Sequence, residues 1–390
     1  MVRPYSSLDR FFLDRFSLVA RRLPAAAMLA VAAVAAGSAA ATPFDTDDVP
    51  VSSKWVAHVD MDACVEASVV KRAIGTALDL KPGAEEKLDW AAKMLGFDPR
   101  TAFHSVTAFG ERPGKEHATL IVRADVRREY LEKMVAKAKD HQTTTHRGRT
   151  LHSWTQKQWK GRGGRQAHGA FHADDTLVFA PDLESLERAL DVLDGEAESI
   201  DENSPLAGRT KPGTILLVRG EVAGEAAEKP MLRQVEKLRL AIGEYDGKSF
   251  LRKRVVMRSE EAAEQAVAVG EGFKALMQLR VDDEVAQAAR VVDGYRIARG
   301  GTSVTVAWDA EADDVGMLVE KGMRKWAAKM ARRGGYGDCG KGGCGKGCGG
   351  GKCGKCGEGG RCGKDGCRDR GKGDGNSGKS PQRSWQDEEF

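Results

Sequence analysis

GTILLVRGEV, residues 213–222, is the stretch on which the fold turns. Pro212-Gly213 opens it, five apolar or β-branched residues follow, and charge returns only at Arg219 and Glu221. That is the length and composition of a buried strand. An earlier run has the same character: WVAHVDMDACV, residues 55–65, again an apolar strand running into a polar, helix-forming segment.

The chain can be read outward from each start. In the first copy, residues 52–60 alternate, with Trp55, Ala57 and Val59 on one side and Val56 and His58 on the other. Residues 61–80 read as a helix with Asp62 as N-cap, and residues 82–95 as a second helix ended by Gly96. Strands follow at 105–109 and 118–123, then a helix over 126–139 capped by Asp125. A strand at 150–154 comes next. A hairpin of 169–173 with 176–180 and a helix ending at Leu193 and Gly195 close the copy.

In the second copy the strand 213–222 leads to a helix over 230–242 and a strand over 250–257. Ser259 caps a helix over 260–277. A hairpin of 294–297 with 303–308 and a helix over 315–331 end it. The spacing therefore predicts an α+β body made of a duplicated unit, each copy an antiparallel sheet with helices on one face, in a split ferredoxin-like arrangement. The units are expected at 51–198 and 212–331, with linkers at 42–50 and 199–211.

Residues 177–208, LVFAPDLESLERALDVLDGEAESIDENSPLAG, lead into a strand ending Val218-x-x-Glu221-Val222. This layout resembles exported bacterial proteins of the DUF3352-like type. The resemblance implies an exported α+β fold and no particular activity.

Composition bounds the rest. The chain has 390 residues and a formal net charge of +4, so no global excess marks a nucleic-acid binder. Arg21-Arg22, the Ala-rich run 25–36 and the small residues 37–41 have the form of a secretory signal, with cleavage expected after Ala41. An uncleaved signal anchor is the alternative. Either form places the body outside the cytoplasm, in the periplasm or cell envelope, with membrane contact confined to this segment.

In the body, Asp60 and Asp62 follow the first strand, where a ligand or metal can sit, but helix capping explains them equally. His152, His168 and His172 would form a transition-metal site if adjoining strands turned them one way. Ser105 and Ser153 each neighbour a histidine without a nucleophile elbow. Cys64 reads as a buried small hydrophobe, and residues 157–166, KQWKGRGGRQ, as an exposed Gly/Arg loop. No phosphate-binding or dinucleotide-binding glycine motif occurs, and the body is expected to be non-enzymatic, an enzyme using the His-rich first unit being the alternative.

The tail, residues 332–390, is a Gly/Cys/Lys-rich segment without the apolar residues to build a core, and is expected to be disordered. It carries Cys339, Cys344, Cys348, Cys353, Cys356, Cys362 and Cys367, separated by four, three, four, two, five and four residues. Only Cys353-x-x-Cys356 has zinc-knuckle spacing, and no histidine accompanies it. Thiolates on a flexible chain can still gather around Cu(I) or Zn(II). Lys352-Cys353-Gly354 and Lys355-Cys356-Gly357 resemble the repeated units of bufferin-type copper-buffering peptides, which implies copper capture. Seven is odd, so intermolecular disulfides with envelope or protein partners are a second expectation. A low-complexity tail without chemistry is the third.

Overall fold

The computed structural model describes residues 43–156, 164–222, 232–280 and 286–334. The expected signal segment, nearly all of the Gly/Arg loop and the seven tail cysteines lie outside the described residues.

The first part of the chain runs β1 (Trp55–Asp60), α1 (Met61–Glu66), α2 (Ser68–Leu80), α3 (Ala84–Leu95), β2 (Phe103–Gly110), β3 (Thr119–Ala124) and α4 (Arg128–Val135). It continues through β4 (Gln142–His146), β5 (Arg149–Gln156), β6 (Arg165–Ala173), β7 (Thr176–Ala180) and α5 (Leu183–Leu193). The second part is β8 (Thr214–Glu221), β9 (Val235–Tyr245), β10 (Lys248–Met257), α6 (Glu260–Arg280), α7 (Ala286–Asp293), β11 (Tyr295–Gly300), β12 (Ser303–Glu311) and α8 (Ala312–Gly334).

All twelve strands join one sheet, ordered β11-β12-β10-β9-β8-β1-β2-β3-β7-β6-β5-β4, and every pairing is antiparallel. β1 and β8 meet at its centre, Val56 opposite Arg219 and His58 opposite Leu217. Outward from that pair the order is β1-β2-β3-β7-β6 on one side and β8-β9-β10-β12-β11 on the other. The β8 side thus runs first, second, third, fifth, fourth strand, and the β1 side matches it once its two outermost strands, β5 and β4, are set aside. A split ferredoxin-like unit inserts a later strand between its first two, whereas β1 pairs directly with β2 and β8 directly with β9. The expected separate sheets are instead one.

The helices do not keep to one face. Ile121, Leu151, Ala170 and Val178 pack with Leu186, Ala189 and Leu190 of α5. Their neighbours in sequence, Val122, Phe171 and Leu177, pack with Leu131 of α4. Successive residues of a strand point to opposite faces, so α5 and α4 cover opposite faces of the first half. Burying side chains of this size contributes on the order of 1.5–3 kcal/mol each, which makes the α5 face the larger store of stability. In the second half a smaller cluster, Met257, Ala262, Ala263 and Val304, seats α6.

The expected helix over 230–242 is the strand β9. Leu238, Leu240 and Ile242 alternate along it, and it fills the gap between β8 and β10, pairing with both. Gly213 makes the entry to β8 possible: its φ is +71°, and a Cβ there would lie 2.0 Å from the carbonyl oxygen of Glu244. The expected single helix over 61–80 breaks at Ala67, whose ψ is 128°. β4 and α7 are additions to the expected elements.

Candidate functional site

A part-buried polar cluster lies where β1 and β3 end and β2 begins. Asp60 is the N-cap of α1; its carboxylate accepts from the Ala63 amide at 2.8 Å. Asp62, the expected cap, sits in the first turn and is 5% exposed. It accepts from His104 of β2 instead: Nδ1 lies 3.1 and 3.2 Å from its two oxygens. The other ring nitrogen, Nε2, lies 3.2 Å from Asp125 Oδ2. Asp125 was expected to cap the next helix, but α4 begins at Arg128 without a side-chain cap.

A carboxylate at each ring nitrogen favours the form in which both nitrogens carry a proton, the imidazolium. Burial opposes that charge, but Asp62 and then Asp125 outweigh it and raise the pKa above the usual histidine value. With both nitrogens engaged, the ring has no lone pair for a metal and is not a free base. The trio ties α1 to β2 and to the turn before α4. Beside it is an open cleft of about 380 Å³ lined by Phe97, Asp125, Arg127, Asp174 and Asp175.

The three histidines singled out as a metal set are separated. Ser153 and His168 are directly paired across β5 and β6, with Oγ and Nδ1 2.8 Å apart. Both are buried, so the pair is closed to a substrate, and burial lowers the His168 pKa. His152, one residue on, faces the other side, stacked on His141 with ring centroids 5.3 Å apart. Burial and then His141 lower its pKa. His172 donates to Asp194, which also takes the Arg149 guanidinium. Among the described residues no group of three or more His, Cys, Asp or Glu is placed to hold a metal ion.

Ser105 is likewise buried, on β2 opposite Asp60. Cys64 is 1% exposed inside α1. Burial, with Asp60 nearby, pushes its thiol up to about 11, which keeps it protonated at neutral pH. The sequence pointed to Asp60 and Asp62 but not to His104 and Asp125. The signal available was a histidine opening a strand and an aspartate closing the next, and only pairing of those strands brings them together.

No helix among the described residues is long and apolar enough to cross a membrane. No protein-family model matches the chain, and no curated protein matches it. Among solved structures it is similar to crystal form III of TP0453, with a TM-score of 0.37 and 7% identity over 72% of this chain and 99% of that one. Crystal form I of TP0453 gives a TM-score of 0.36 and 8% identity over 72% and 98% of the two chains. Both likenesses are distant.

Proposed function

We propose that this chain is an exported, non-enzymatic protein whose Cys-rich tail captures soft metal ions, Cu(I) or Zn(II), and whose body is a structural or interaction module. The observation that carries the reading is the placement of the thiols. Seven of the eight cysteines lie between Cys339 and Cys367 on a Gly-rich chain with interspersed Lys and Arg, which favour the thiolate. The eighth, Cys64, is sealed in the core with a raised pKa. Thiolates free to rearrange suit soft ions that tolerate irregular ligand spacing, and they pay ordering entropy only on binding.

The body, in this reading, descends from a duplicated unit. What supports that is the shared outward order of the five inner strands on either side of the β1–β8 pair. The odd number of tail cysteines favours a second reading, intermolecular disulfides with envelope partners.

The test is Cu(I) and Zn(II) titration of the reduced full-length chain beside a variant with all seven tail cysteines changed to serine. The full chain should bind several equivalents and the variant none. Thiol counting should find seven fast thiols in the native protein and the eighth only in denaturant. Metal binding retained by the variant, or a fast-reacting Cys64, would sink the reading.

A further inference from the structure

One register row crosses the middle of the sheet: Phe109 opposite Val56, Val56 opposite Arg219, Arg219 opposite Arg239, Arg239 opposite Arg254, and Arg254 opposite Thr305. Directly opposed residues share a face, so three arginines on adjacent strands stand side by side. Strands lie about 4.8 Å apart, so the row spans roughly 10 Å. Like charges directly opposite one another weaken a sheet, and here two such pairs occur in succession.

The partners of these arginines are neutral. Arg219, 4% exposed, donates to the carbonyls of Leu206 at 2.8 Å and Arg209 at 3.2 Å. Arg239 donates to the Pro205 carbonyl at 2.8 Å and Arg254 to the Ser303 hydroxyl at 2.8 Å. Among the described residues none of the three forms an ion pair with a carboxylate. Of the carboxylates that the register puts on this face, Asp309 holds Arg252 and Arg296 and Glu311 lies 3.8 Å from Lys248, while Glu221 stands at the end of β8 opposite Lys237. Arg239 and Arg254 are exposed.

We propose that this face of β8, β9 and β10 binds a linear phosphate polymer, with Arg239 and Arg254 gripping its phosphates and Arg219 adding charge at the inner end. A phosphate carries more acceptor oxygens than a carboxylate, and each link of a phosphate chain brings its own charge, which suits a row of adjacent guanidinium forks. A single phosphate cannot reach along a row of this length; linked phosphates can. The aromatics that the register places on this face are Phe250, 0% exposed, and Tyr245 at the hairpin end, about 20 Å along β9 from Arg239. Beside the row itself, among the described residues, the one ring in contact is the half-buried Phe44, 5.6 Å from the Arg219 guanidinium, so base stacking, on which single-stranded nucleic-acid readers depend, has no exposed platform next to Arg239 and Arg254.

The experiment uses the full-length chain and inorganic polyphosphate, titrated across a salt series. The variant R239Q/R254Q is compared with K253Q/R299Q, which removes two exposed cations from β10 and β11 on the opposite face. Both variants keep the basic tail, so its contribution cancels. The first pair should weaken polyphosphate binding at least about tenfold and flatten the salt slope by about two; the second should change binding less than about twofold. Equal losses in the two variants, or no binding by the parent chain, would overturn the proposal. So would tighter binding of polyglutamate or of an oligothymidylate than of polyphosphate.

Discussion

The two halves of the sheet share the order of their five inner strands and differ in what covers them. On one side of the centre the register row holds Val56, 0% exposed, and Phe109, 3% exposed, both beneath the layer that includes α5. On the other side the same row holds Arg219, Arg239 and Arg254. Arg219 is the transition between them. The segment bearing Leu206 and Ala207 reaches over it and supplies the Leu206 carbonyl that it needs. Beyond that point along the row, arginine replaces Phe and Val, and Arg239 and Arg254 are exposed. Strand order alone therefore does not set the chemistry of a face; the covering element does. A bare face must be polar to remain soluble, but it need not be of one sign. The single-sign row is what raises this face above a solvated one.

That comparison can be broken in several ways, the largest first. Leu190→Ala removes a fully buried α5 side chain and should cost about 2–5 kcal/mol in urea unfolding. Val304→Ala, in the smaller α6 cluster, should cost nearer 1–2 kcal/mol. Equal losses would mean that the halves are equally dependent on their cores.

The ties of the halves also differ. In the first, His104 sits between Asp62 and Asp125. In the second, Arg290 meets Asp314 at 2.6 and 2.7 Å, a pair whose cation does not titrate near neutrality. The folded His104 pKa is raised, so its contribution is complete below the unfolded value near 6.5 and is lost as pH rises through the folded value. His152 and His168 have lowered pKa values, so theirs is lost as pH falls through the unfolded value. Hydrogen exchange should therefore show β1 and β2 losing protection as pH rises above the ordinary histidine value, with β9 and β10 unchanged. His104→Gln should abolish the alkaline loss and cost about 1–2 kcal/mol at pH 6. An unchanged alkaline slope in that variant would dismiss the imidazolium.

The smallest effect expected is a gain. Arg254→Thr relieves one like-charged pair and adds a strand former, and should stabilise the chain by a few tenths of a kcal/mol in the same urea assay.

Much of the element order could be read because the apolar patterns were unambiguous. The alternation over residues 55–60 became β1, and Gly195 follows the end of α5 as expected. β9 misled because Leu232, Val235, Leu238 and Ile242 also satisfy a helical spacing; only competition from the open edges of β8 and β10 decides for a strand. β4, Gln-Thr-Thr-Thr-His, is an exposed edge strand without apolar alternation, so nothing in its composition announced it. Asp125 looked like a cap because caps are local, whereas its partner His104 comes from another strand. The arginine row was hidden for the same reason. Residues 219, 239 and 254 are unremarkable charges along the chain and become neighbours only through register. The helices on both faces could not be anticipated either, since periodicity shows that a helix has an apolar side but not which sheet face takes it.

The most direct test of the asymmetry exchanges two residues that hold the same place on either side of the centre, Phe109 of β2 and Arg239 of β9. Urea unfolding of Phe109→Arg and of Arg239→Phe gives the answer in one comparison. Placing a cation under α5 should cost at least about 3–4 kcal/mol or prevent folding, because Phe109 lies within the apolar cluster that includes Leu186 and Leu190. Placing Phe on the bare face should change stability by less than about 1 kcal/mol. Comparable losses in the two variants would contradict the account, because they would mean that the face of β9 is as closed as that of β2.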